Sequence, residues 1–339
     1  EGDNRCGRHH RAQETGEMKI AVVRGDGIGK EVIPQAVRVL QHYAPDAEYF
    51  EADIGYGKWE RCGVGCDDDD IESLKGADSI LFGAVTTPPD PGYKSVMLRV
   101  RKDLGLYANL RPVYGEGFNI MVVRENSEGL YSGIEEIGEE RSTTLRVVTK
   151  KASERIARCA CGILLKDFRN GTLTIGNKAN VMKSDVLFRD TCISVAQEMG
   201  VPYRTAYIDA LTFDAIQNPQ RYDVIVTTNL FGDILSDALG HLVGGLGMLP
   251  SANIGDRHAL FEPVHGSAPD IAGKGIANPI AAVRSAGMLL EHNGIRCQEE
   301  IEEAIAAVIS SGMKTRDLGG TADTASFANA LMDRLSSGG

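Results

Sequence analysis

Tyr222-Asp-Val-Ile-Val-Thr-Thr228 is an apolar run, and Asn229-Leu-Phe-Gly-Asp-Ile-Leu-Ser-Asp237 follows it directly. The run is typical of a buried β-strand, and we expect a turn at Gly232 before a helix begins. Asp233 and Asp237 are four residues apart, so both carboxylates leave the same face of that helix. A strand that leads directly into a helix is the unit from which α/β folds are built.

These two carboxylates need a partner of opposite charge. Like charges on one face repel each other, and Ile234, Leu235 and Leu239 make the rest of the segment apolar. Oxygen donors alone suit a hard divalent ion, so the pair predicts a Mg²⁺ or Mn²⁺ site. The alternative is a solvated polar face on which Asp233 caps the helix, because Asp is favoured near helix N-termini.

Strand and helix patterns alternate along the chain, beginning with a strand over 18–24, a turn over 25–29 and a helix over 30–43. This alternation predicts an α/β fold with much parallel sheet. Extended segments over 120–123 and 143–148 flank a stretch rich in Gly and Glu, which predicts a hairpin or arm. Further strands are predicted over 47–52, 79–84 and 172–175, and further helices over 68–75, 152–168, 184–199, 279–292 and 299–310.

The turn Gly25-Asp-Gly-Ile-Gly29 imitates a dinucleotide-binding fold. It follows a strand, opens a helix and is followed at some distance by the acidic residues Glu48, Glu51 and Asp53. A dinucleotide fingerprint also needs a third glycine three residues after the second, and this turn has none. A simple tight turn is therefore the better interpretation.

Composition limits the class of protein. Of 339 residues, 42% are apolar and 24% are charged, which is typical of a globular protein large enough for two domains. A net charge of −11 argues against nucleic acid or an anionic membrane as the main partner. No apolar run is long enough to span a membrane. Residues 1–17 are polar and are expected to form a disordered tail. The seven cysteines form no paired framework, so we expect reduced thiols in a cytoplasmic protein, with no zinc site at Cys62 and Cys66.

Basic and hydroxyl side chains point to an anionic substrate. Arg101, Arg111 and Arg124 lie within one stretch, with Arg111 before a proline and Arg124 at the end of a strand. The planar fork of arginine suits carboxylates, so the three predict a dicarboxylate or tricarboxylate ligand, with scattered surface arginines as the alternative. Tyr131 and Lys178 are candidates for proton transfer, because the pKa values of both groups respond to their surroundings, with a core tyrosine and a surface lysine as the alternatives.

A long loop with small side chains covers residues 260–278. Its backbone could approach a ligand closely, although a flexible surface loop is the alternative. Asp270 within it suits the two hydroxyls of an adenosine ribose and would repel a 2′-phosphate. Asp209, at the end of another short strand pattern, offers a third carboxylate.

Together these motifs resemble the decarboxylating β-hydroxyacid dehydrogenases, the family of the 3-isopropylmalate, isocitrate and homoisocitrate dehydrogenases. The resemblance implies a two-domain α/β fold, similar to that of isopropylmalate dehydrogenase, that is not the Rossmann fold. A large discontinuous cofactor-binding domain would cover 18–106 with 244–339, and a smaller central dimerisation and metal-site domain would cover 107–243. The motifs occur in the family's order, at Gly25–Gly29, Arg101–Arg111, Arg124 to Tyr131, Lys178–Asn180, Gly232–Asp237 and His265–Asn278.

The resemblance also implies a homodimer, alone or paired into a tetramer, whose subunits share two active sites. Lys178 would reach into the partner's site and take the proton of the substrate hydroxyl, and Tyr131 would protonate carbon after CO₂ leaves. Asp233 and Asp237, with Asp209 from the partner, would hold Mg²⁺ or Mn²⁺, and Asp209 would also contact the substrate. The implied cofactor is NAD, bound by His265, Gly266, Ser267, Ala268, Asp270, Ile271 and Asn278.

The implied substrate is a small 2-hydroxy di- or tricarboxylate, and the residues ahead of Arg101 select among three. In the isocitrate enzymes a serine six residues before the first arginine and an asparagine four before it contact the distal carboxylate. Here Ser95 is present but Met97 replaces the asparagine, and an apolar side chain suits the branched tail of 3-isopropylmalate. We therefore expect oxidative decarboxylation of 3-isopropylmalate to 2-oxoisocaproate, a step of leucine biosynthesis. Homoisocitrate is the first alternative, because Lys94 precedes Ser95, and isocitrate is the second.

Two other classes of protein remain open. A non-catalytic regulatory subunit of a hetero-oligomer would have lost arginines, the tyrosine or metal ligands, whereas this chain has all of them. A Rossmann-type 2-hydroxy acid dehydrogenase would need no metal ion, so the effect of a chelator separates it from the family that the motifs resemble.

Overall fold

The structure is a computed structural model that describes residues 17–90 and 92–337. The predicted disordered tail, residues 1–17, lies outside the described residues except for Glu17. The described strands are β1 (Lys19–Val23), β2 (Glu48–Glu51), β3 (Ser79–Phe82), β4 (Ala108–Gly115), β5 (Phe118–Glu125), β6 (Glu135–Glu136), β7 (Thr143–Thr144), β8 (Leu173–Asn177), β9 (Tyr203–Tyr207), β10 (Val224–Thr227), β11 (Pro250–Ile254) and β12 (Ala259–Pro263). The described helices are α1 (Gly29–Tyr43), α2 (Tyr56–Cys62), α3 (Asp68–Lys75), α4 (Val96–Asp103), α5 (Lys150–Asp167), α6 (Lys183–Glu198), α7 (Ile208–Gln217), α8 (Asn229–Gly240), α9 (Ile280–His292), α10 (Gln298–Ser310) and α11 (Thr324–Ser337).

The predicted alternation of strands and helices is confirmed, and most element ends differ only by the small shifts that are ordinary at frayed termini. The turn predicted at Gly232 is wrong, because α8 begins directly after β10, with Thr228 as its N-cap. A glycine inside a helix costs only about 1 kcal/mol relative to alanine, so apolar packing of the helix outweighs it.

The predicted arm is only partly correct. Thr143 and Thr144 form β7 and pair with β6 in a short hairpin, but residues 120–123 do not belong to it. They lie in β5, which pairs antiparallel with β4 along its whole length. The apolar pattern of a strand does not show which other strand it pairs with. β4 was not predicted from the sequence, because a proline follows Arg111 within it.

The chain divides into two compact units. The central unit comprises Gly105–Val243 and Asn253–Asp256, and the terminal unit comprises the described residues up to Leu104, Gly244–Ala252 and the described residues from Arg257 onward. The domain boundaries predicted from the sequence lie at 106/107 and 243/244. The roles predicted for the two domains, cofactor binding and dimerisation, stay predictions.

The central unit is built on a sheet with strand order β4-β5-β10-β8-β9. The steps from β5 to β9 are all parallel, whereas β4 runs antiparallel to β5. Helices α5 and α6 contribute Ile156, Cys159 and Phe188 to the core against these strands. Because β5 and β10 are parallel neighbours with Arg124 opposite Thr227, the end of β5 lies beside the start of α8.

The terminal unit has strand order β2-β1-β3-β12-β11, and its tight turn after β1 is fixed by a buried carboxylate. Asp26 accepts backbone hydrogen bonds from Tyr56 at 2.7 Å, Gly57 at 2.9 Å and Thr86 at 2.9 Å. One side chain therefore joins the turn after β1 to the start of α2 and to the segment after β3. The sequence identified the turn from its glycines but not this role of Asp26.

Within residues 17–90 and 92–337, no helix combines the length and apolar character that crossing a membrane requires. Cys62 and Cys66 are both free, as predicted, whereas Cys159 is disulfide-bonded, so the prediction of reduced thiols is wrong at that position.

Gly232→Ala should lower the free energy of unfolding by about 1–3 kcal/mol, because a packed core resists added atoms. A Cβ at Gly232 would lie 2.7 Å from both Cβ and Cγ of Arg124. Gly57→Ala is the matched control, since a Cβ there meets its nearest neighbour only at 3.5 Å and should stabilise α2 slightly. Urea unfolding followed by circular dichroism measures both changes, and equal effects would contradict the close contact.

Candidate active site

Arg124 is the most deeply buried of the charged residues predicted for the site, with 1% of its surface exposed. Its Nη1 donates to Asp233 Oδ1 at 2.6 Å, while its Nε and Nη2 donate to Asn229 Oδ1 at 3.1 and 2.7 Å. The guanidinium lies over the ring of Tyr131, 5.4 Å from the centroid. The end of β5 therefore presents a positive charge to the first turns of α8.

Arg111, in β4, is the second buried arginine of the site. Its Nη1 donates to Ser236 Oγ at 2.8 Å and to Asp237 Oδ1 at 2.9 Å, and its Nη2 lies 3.0 Å from Asp233 Oδ1. Its Nε donates to Asn109 Oδ1 at 2.7 Å. Asn109 and Arg111 are two positions apart in one strand, so their side chains leave the same face of the sheet.

Asp233 and Asp237 leave the same face of α8, as predicted, and Arg111 contacts both. The other oxygen of Asp233 accepts a hydrogen bond from Tyr131 Oη at 2.9 Å. Burial raises the pKa of the Asp237 carboxyl above its ordinary value; the charge of Asp233 adds to this effect, and Arg111 opposes it. We predicted positive charge between the two carboxylates, and in this structure arginine side chains supply it.

The donor chemistry of this pair fits part of a divalent metal site. Asp233 and Asp237 supply hard oxygen ligands from successive helical turns, as Mg²⁺ and Mn²⁺ prefer. Among residues 17–90 and 92–337 of this single chain, no three His, Cys, Asp or Glu side chains come together in a way that could hold a metal ion. Such a site therefore needs further oxygen ligands from water, from a substrate or from another chain.

Asp209 and Lys178 pair with each other. Lys178 follows β8, and its Nζ lies 2.6 Å from Asp209 Oδ1. The hydrogen bond from Lys178 lowers the pKa of Asp209. Asp209 does not end a strand as predicted but lies in the first turn of α7, since β9 ends at Tyr207. Within the central unit Tyr131 contacts Asp233 and Lys178 contacts Asp209, so the two candidate proton-transfer groups bind different carboxylates.

The backbone of Lys178 is held by residues that the sequence did not identify. Asp185, whose surface is fully buried, accepts from the Lys178 backbone N–H at 2.6 Å. Arg146 Nη2 lies 2.5 Å from the other oxygen of Asp185, and Arg146 also donates to Ser184 and Thr228. An Asp in the first turn of a helix is typical of capping, so its sequence position gave no separate signal.

In the terminal unit, α4 carries the residues predicted to select the substrate. Ser95 caps this helix, with its Oγ accepting from the Leu98 backbone N–H at 3.4 Å. Arg101 Nη2 donates to Glu262 at 3.3 Å, and Arg101 Nε is buried without a hydrogen-bond partner among the described residues. Met97 is half-buried and Leu98 is exposed, and both lie on the helix face of Arg101 because they precede it by four and three positions.

The predicted cofactor loop packs against the glycine turn that follows β1. The Ser267 carbonyl accepts from the Ile28 backbone N–H at 2.9 Å, and Thr86 donates to the Ser267 hydroxyl at 2.7 Å. A Cβ at Gly27 would lie 2.0 Å from the Ser267 carbonyl oxygen, so only glycine allows this approach. Ala268 also has a left-handed backbone, with φ of 41°.

Side chains of the same loop fit a dinucleotide. Burial lowers the pKa of His265 and so favours the neutral ring, and its Nε2 has no hydrogen-bond partner among the described residues. Asn278 donates to Asp317 at 2.9 Å, and the Asp270 carbonyl accepts from Lys274 at 2.7 Å. Asp270 itself is exposed. This loop suits a polar ligand with hydroxyl groups, because it combines the buried ring nitrogen of His265, the exposed carboxylate of Asp270 and closely packed backbone.

The chain is similar to known proteins over most of its length. The family model for isocitrate/isopropylmalate dehydrogenase matches residues 19–331. The chain is 45% identical to a 3-isopropylmalate dehydrogenase from Archaeoglobus fulgidus, over 94% of this chain and 99% of that protein. It is 42% identical to an isocitrate/homoisocitrate dehydrogenase from Pyrococcus horikoshii, over 94% of this chain and 92% of that protein.

A solved structure gives the same result for the fold. The crystal structure of isocitrate dehydrogenase from Methylococcus capsulatus superposes with a TM-score of 0.89 at 39% identity, covering 94% of this chain and 99% of that one. The predicted α/β fold, similar to that of isopropylmalate dehydrogenase, is therefore confirmed. With its family model, relatives and fold in agreement, the chain belongs to the isocitrate/isopropylmalate dehydrogenase family.

Proposed function

We propose that this chain catalyses the NAD-dependent oxidative decarboxylation of 3-isopropylmalate to 2-oxoisocaproate, a step of leucine biosynthesis, in the cytoplasm. The observation that carries this proposal is the cluster in which Arg111 and Arg124 contact Asp233 and Asp237. It combines positive charge for substrate carboxylates with oxygen donors for a divalent ion. Membership of the family supports the same reaction class.

The exposure of this cluster supports a division of roles. The side chains of Arg111 and Arg124 are 8% and 2% exposed, whereas those of Asp233 and Asp237 are 31% and 46% exposed. A cation from solvent would therefore meet the carboxylate oxygens before it meets the guanidinium groups. We propose that Arg111 and Arg124 bind the substrate carboxylates together with Arg101. The buried Nε of Arg101 has no hydrogen-bond partner among the described residues, so it can donate to a ligand.

We propose that Asp233 and Asp237, with Asp209 of the partner subunit, hold the Mg²⁺ or Mn²⁺ ion. When bound, such an ion polarises the substrate hydroxyl and withdraws negative charge as CO₂ leaves. Burial raises the pKa of Asp237, and a cation beside the carboxylate would oppose this effect because it favours the ionised form. Asp209 would contribute to the partner's site as both metal ligand and substrate contact.

Two side chains of this chain move the protons. Lys178 would take the proton of the substrate 2-hydroxyl, and NAD, when bound, would supply the acceptor for the hydride from C2. Asp209, 2.6 Å from Lys178 Nζ, keeps the amine at a defined position. When the bond to CO₂ breaks, its electron pair stays on the substrate carbon, and Tyr131 donates a proton there. The Tyr131 hydroxyl is oriented by its bond to Asp233.

A homodimer, alone or paired into a tetramer, is part of the proposal. Phe213, Val181 and Ile137 are 65%, 67% and 75% exposed, and exposed apolar surface of this kind marks association sites. Val181 lies close in sequence to Lys178, the residue proposed to act in the partner's site. The other exposed large apolar side chains among the described residues of the central unit are Tyr131, Ile134, Leu145, Leu165, Leu187, Tyr207 and Ile234.

NAD is proposed to bind at His265, Gly266, Ser267, Ala268, Asp270, Ile271 and Asn278. The exposed carboxylate of Asp270 supports NAD rather than NADP, because it would accept ribose hydroxyl hydrogens and repel a 2′-phosphate. The buried, unpartnered Nε2 of His265 offers a polar contact to the ligand.

The choice of 3-isopropylmalate depends on α4. The relatives from Archaeoglobus fulgidus and Pyrococcus horikoshii have similar identity to this chain but carry different substrate names. Met97 and the exposed Leu98 give the helix face beside Arg101 an apolar character, which suits a branched alkyl tail. Homoisocitrate is the second candidate, because Lys94 is exposed next to Ser95 and could attract a distal carboxylate.

We expect kcat/KM with NAD and Mg²⁺ to be highest for 3-isopropylmalate, lower for homoisocitrate and lowest for isocitrate. Met97→Asn should raise turnover of isocitrate, because an amide can bond the distal carboxylate that methionine cannot. Parallel steady-state assays of both proteins measure these values. A wild-type preference for either tricarboxylate would contradict the assignment of substrate.

Excess EDTA should abolish turnover, and added Mn²⁺ or Mg²⁺ should restore it, because the reaction needs a cation at Asp233 and Asp237. Initial rates at increasing EDTA concentration test this. Full turnover in excess chelator would eliminate the mechanism and favour a metal-independent hydroxy acid dehydrogenase.

In Asp270→Lys, kcat/KM with NAD divided by kcat/KM with NADP should fall about ten-fold or more. The reason is that the charge facing the 2′-phosphate of NADP changes from negative to positive. Asp46→Lys, at an exposed position in the terminal unit, makes the same change in net charge and should leave the ratio unaltered. An unchanged ratio in Asp270→Lys would count against the cofactor assignment.

A further inference from the structure

Lys178 is held at its backbone as well as at its side chain. Its N–H donates to Asp185 Oδ2 at 2.6 Å. Its carbonyl accepts from the backbone N–H groups of Val181 and Met182, at 3.0 and 2.9 Å, which closes a turn. Its Nζ lies 2.6 Å from Asp209 Oδ1. The bond to Asp185 ties this turn to the first turn of α6, where Asp185 is fully buried.

Arg146 holds the carboxylate of Asp185 from the other side. Its Nη2 lies 2.5 Å from Asp185 Oδ1, and its Nη1 donates to Ser184 Oγ at 2.7 Å. One guanidinium therefore contacts two successive residues of α6. Because one carboxylate oxygen of Asp185 faces Arg146 and the other accepts from Lys178, the carboxylate cannot rotate without losing a contact.

The same arginine reaches the start of α8. Its Nη2 donates to Thr228 Oγ1 at 3.1 Å, and its guanidinium carbon lies 5.5 Å from the centre of the Phe231 ring. Thr228 is the N-cap of α8, and Phe231 lies in the first turn of that helix. Since α8 carries the two proposed metal ligands of this chain, Arg146 connects their helix with the turn of Lys178.

Stability alone does not explain why this pair is charged. The side chain of Asp185 is fully buried and that of Arg146 is 14% exposed. Taking two charges out of water costs free energy that their attraction offsets only when the geometry is close to ideal, and apolar side chains of similar volume often stabilise a protein equally well. An ion pair adds direction, because a planar fork of N–H donors restricts where the carboxylate oxygens can lie.

From these contacts we infer that Arg146 and Asp185 are positioning residues that hold the turn of Lys178 at a fixed place relative to α8. The inference rests on the proposed function, since Lys178 is the proposed acceptor of the hydroxyl proton. Proton transfer needs its two atoms within hydrogen-bonding distance, and a displacement of about 1 Å can slow a reaction about 100-fold. Loss of the pair should therefore slow turnover more than it weakens substrate binding.

The decisive variant is Asp185→Asn, which keeps the size of the side chain but has a single acceptor oxygen. Either the Lys178 N–H or Arg146 then loses its acceptor. At saturating Mn²⁺ and NAD, kcat for the preferred substrate should fall about ten-fold or more, whereas KM should change by less than about three-fold. Glu198→Gln is the charge-matched control and should leave both values unaltered, because Glu198 pairs with Arg158 at the exposed far end of α6.

Hydrogen exchange of the free protein measures the order of the turn without any reaction. The peptide that covers residues 177–182 should exchange faster in Asp185→Asn than in the wild type, because the turn loses a buried support. Glu198→Gln should leave its exchange unaltered. Arg146→Lys keeps a cation beside Asp185 but not the planar fork, so it should give intermediate exchange and an intermediate kcat. It tests the pair even if Asp185→Asn does not fold.

Unaltered exchange of residues 177–182 and an unaltered kcat in these variants, while the wild type is active, would overturn the inference alone. A rise in KM as large as the fall in kcat would also overturn it, because that result indicates general damage to the site. If the wild type turned over none of the three acids, the proposed function would fail and the inference with it, whatever the exchange rates were.

Discussion

Arg111 and Arg124 are buried in the central unit, and a buried guanidinium is stable only where neighbouring groups satisfy its charge and its donors. Arg124 and Arg111 meet this requirement through Asp233, Asp237 and amide oxygens. The requirement fixes much of the local structure. The parallel register of β5 and β10 brings Arg124 to the start of α8, and a glycine at position 232 admits its side chain.

The same interactions connect stability with the proposed chemistry. The aspartates that neutralise the arginines are more exposed than the arginines themselves, so they can exchange part of that contact for a divalent ion. Substrate carboxylates could then take up the arginine donors that are released. One cluster would in this way serve as an ion-pair network in the free protein and as a recognition site for metal and substrate in the working enzyme, with Tyr131 oriented by Asp233.

The sequence predicted the features that local patterns determine. The period of apolar residues gave the strand–helix alternation, and spacing alone put Asp233 and Asp237 on one helix face. Contacts between distant segments were not predictable in this way. The pairing of β4 with β5, the support of Lys178 by Asp185 and the bonds of Asn229 to Arg124 each join residues far apart in the chain. Gly232 was misread because glycine breaks an isolated helix but is tolerated where packing demands a small residue.

The central claim is that Asp233 and Asp237 bind a divalent cation while the arginines beside them bind the substrate. A crystal of the protein soaked with Mn²⁺ and a product analogue, measured at a wavelength where manganese scatters anomalously, tests it directly. The account predicts an anomalous peak within bonding distance of both carboxylates, with the carboxylate of the analogue against Arg111 and Arg124. A map in which those aspartates kept their arginine contacts or faced solvent, with manganese elsewhere or not bound, would contradict it.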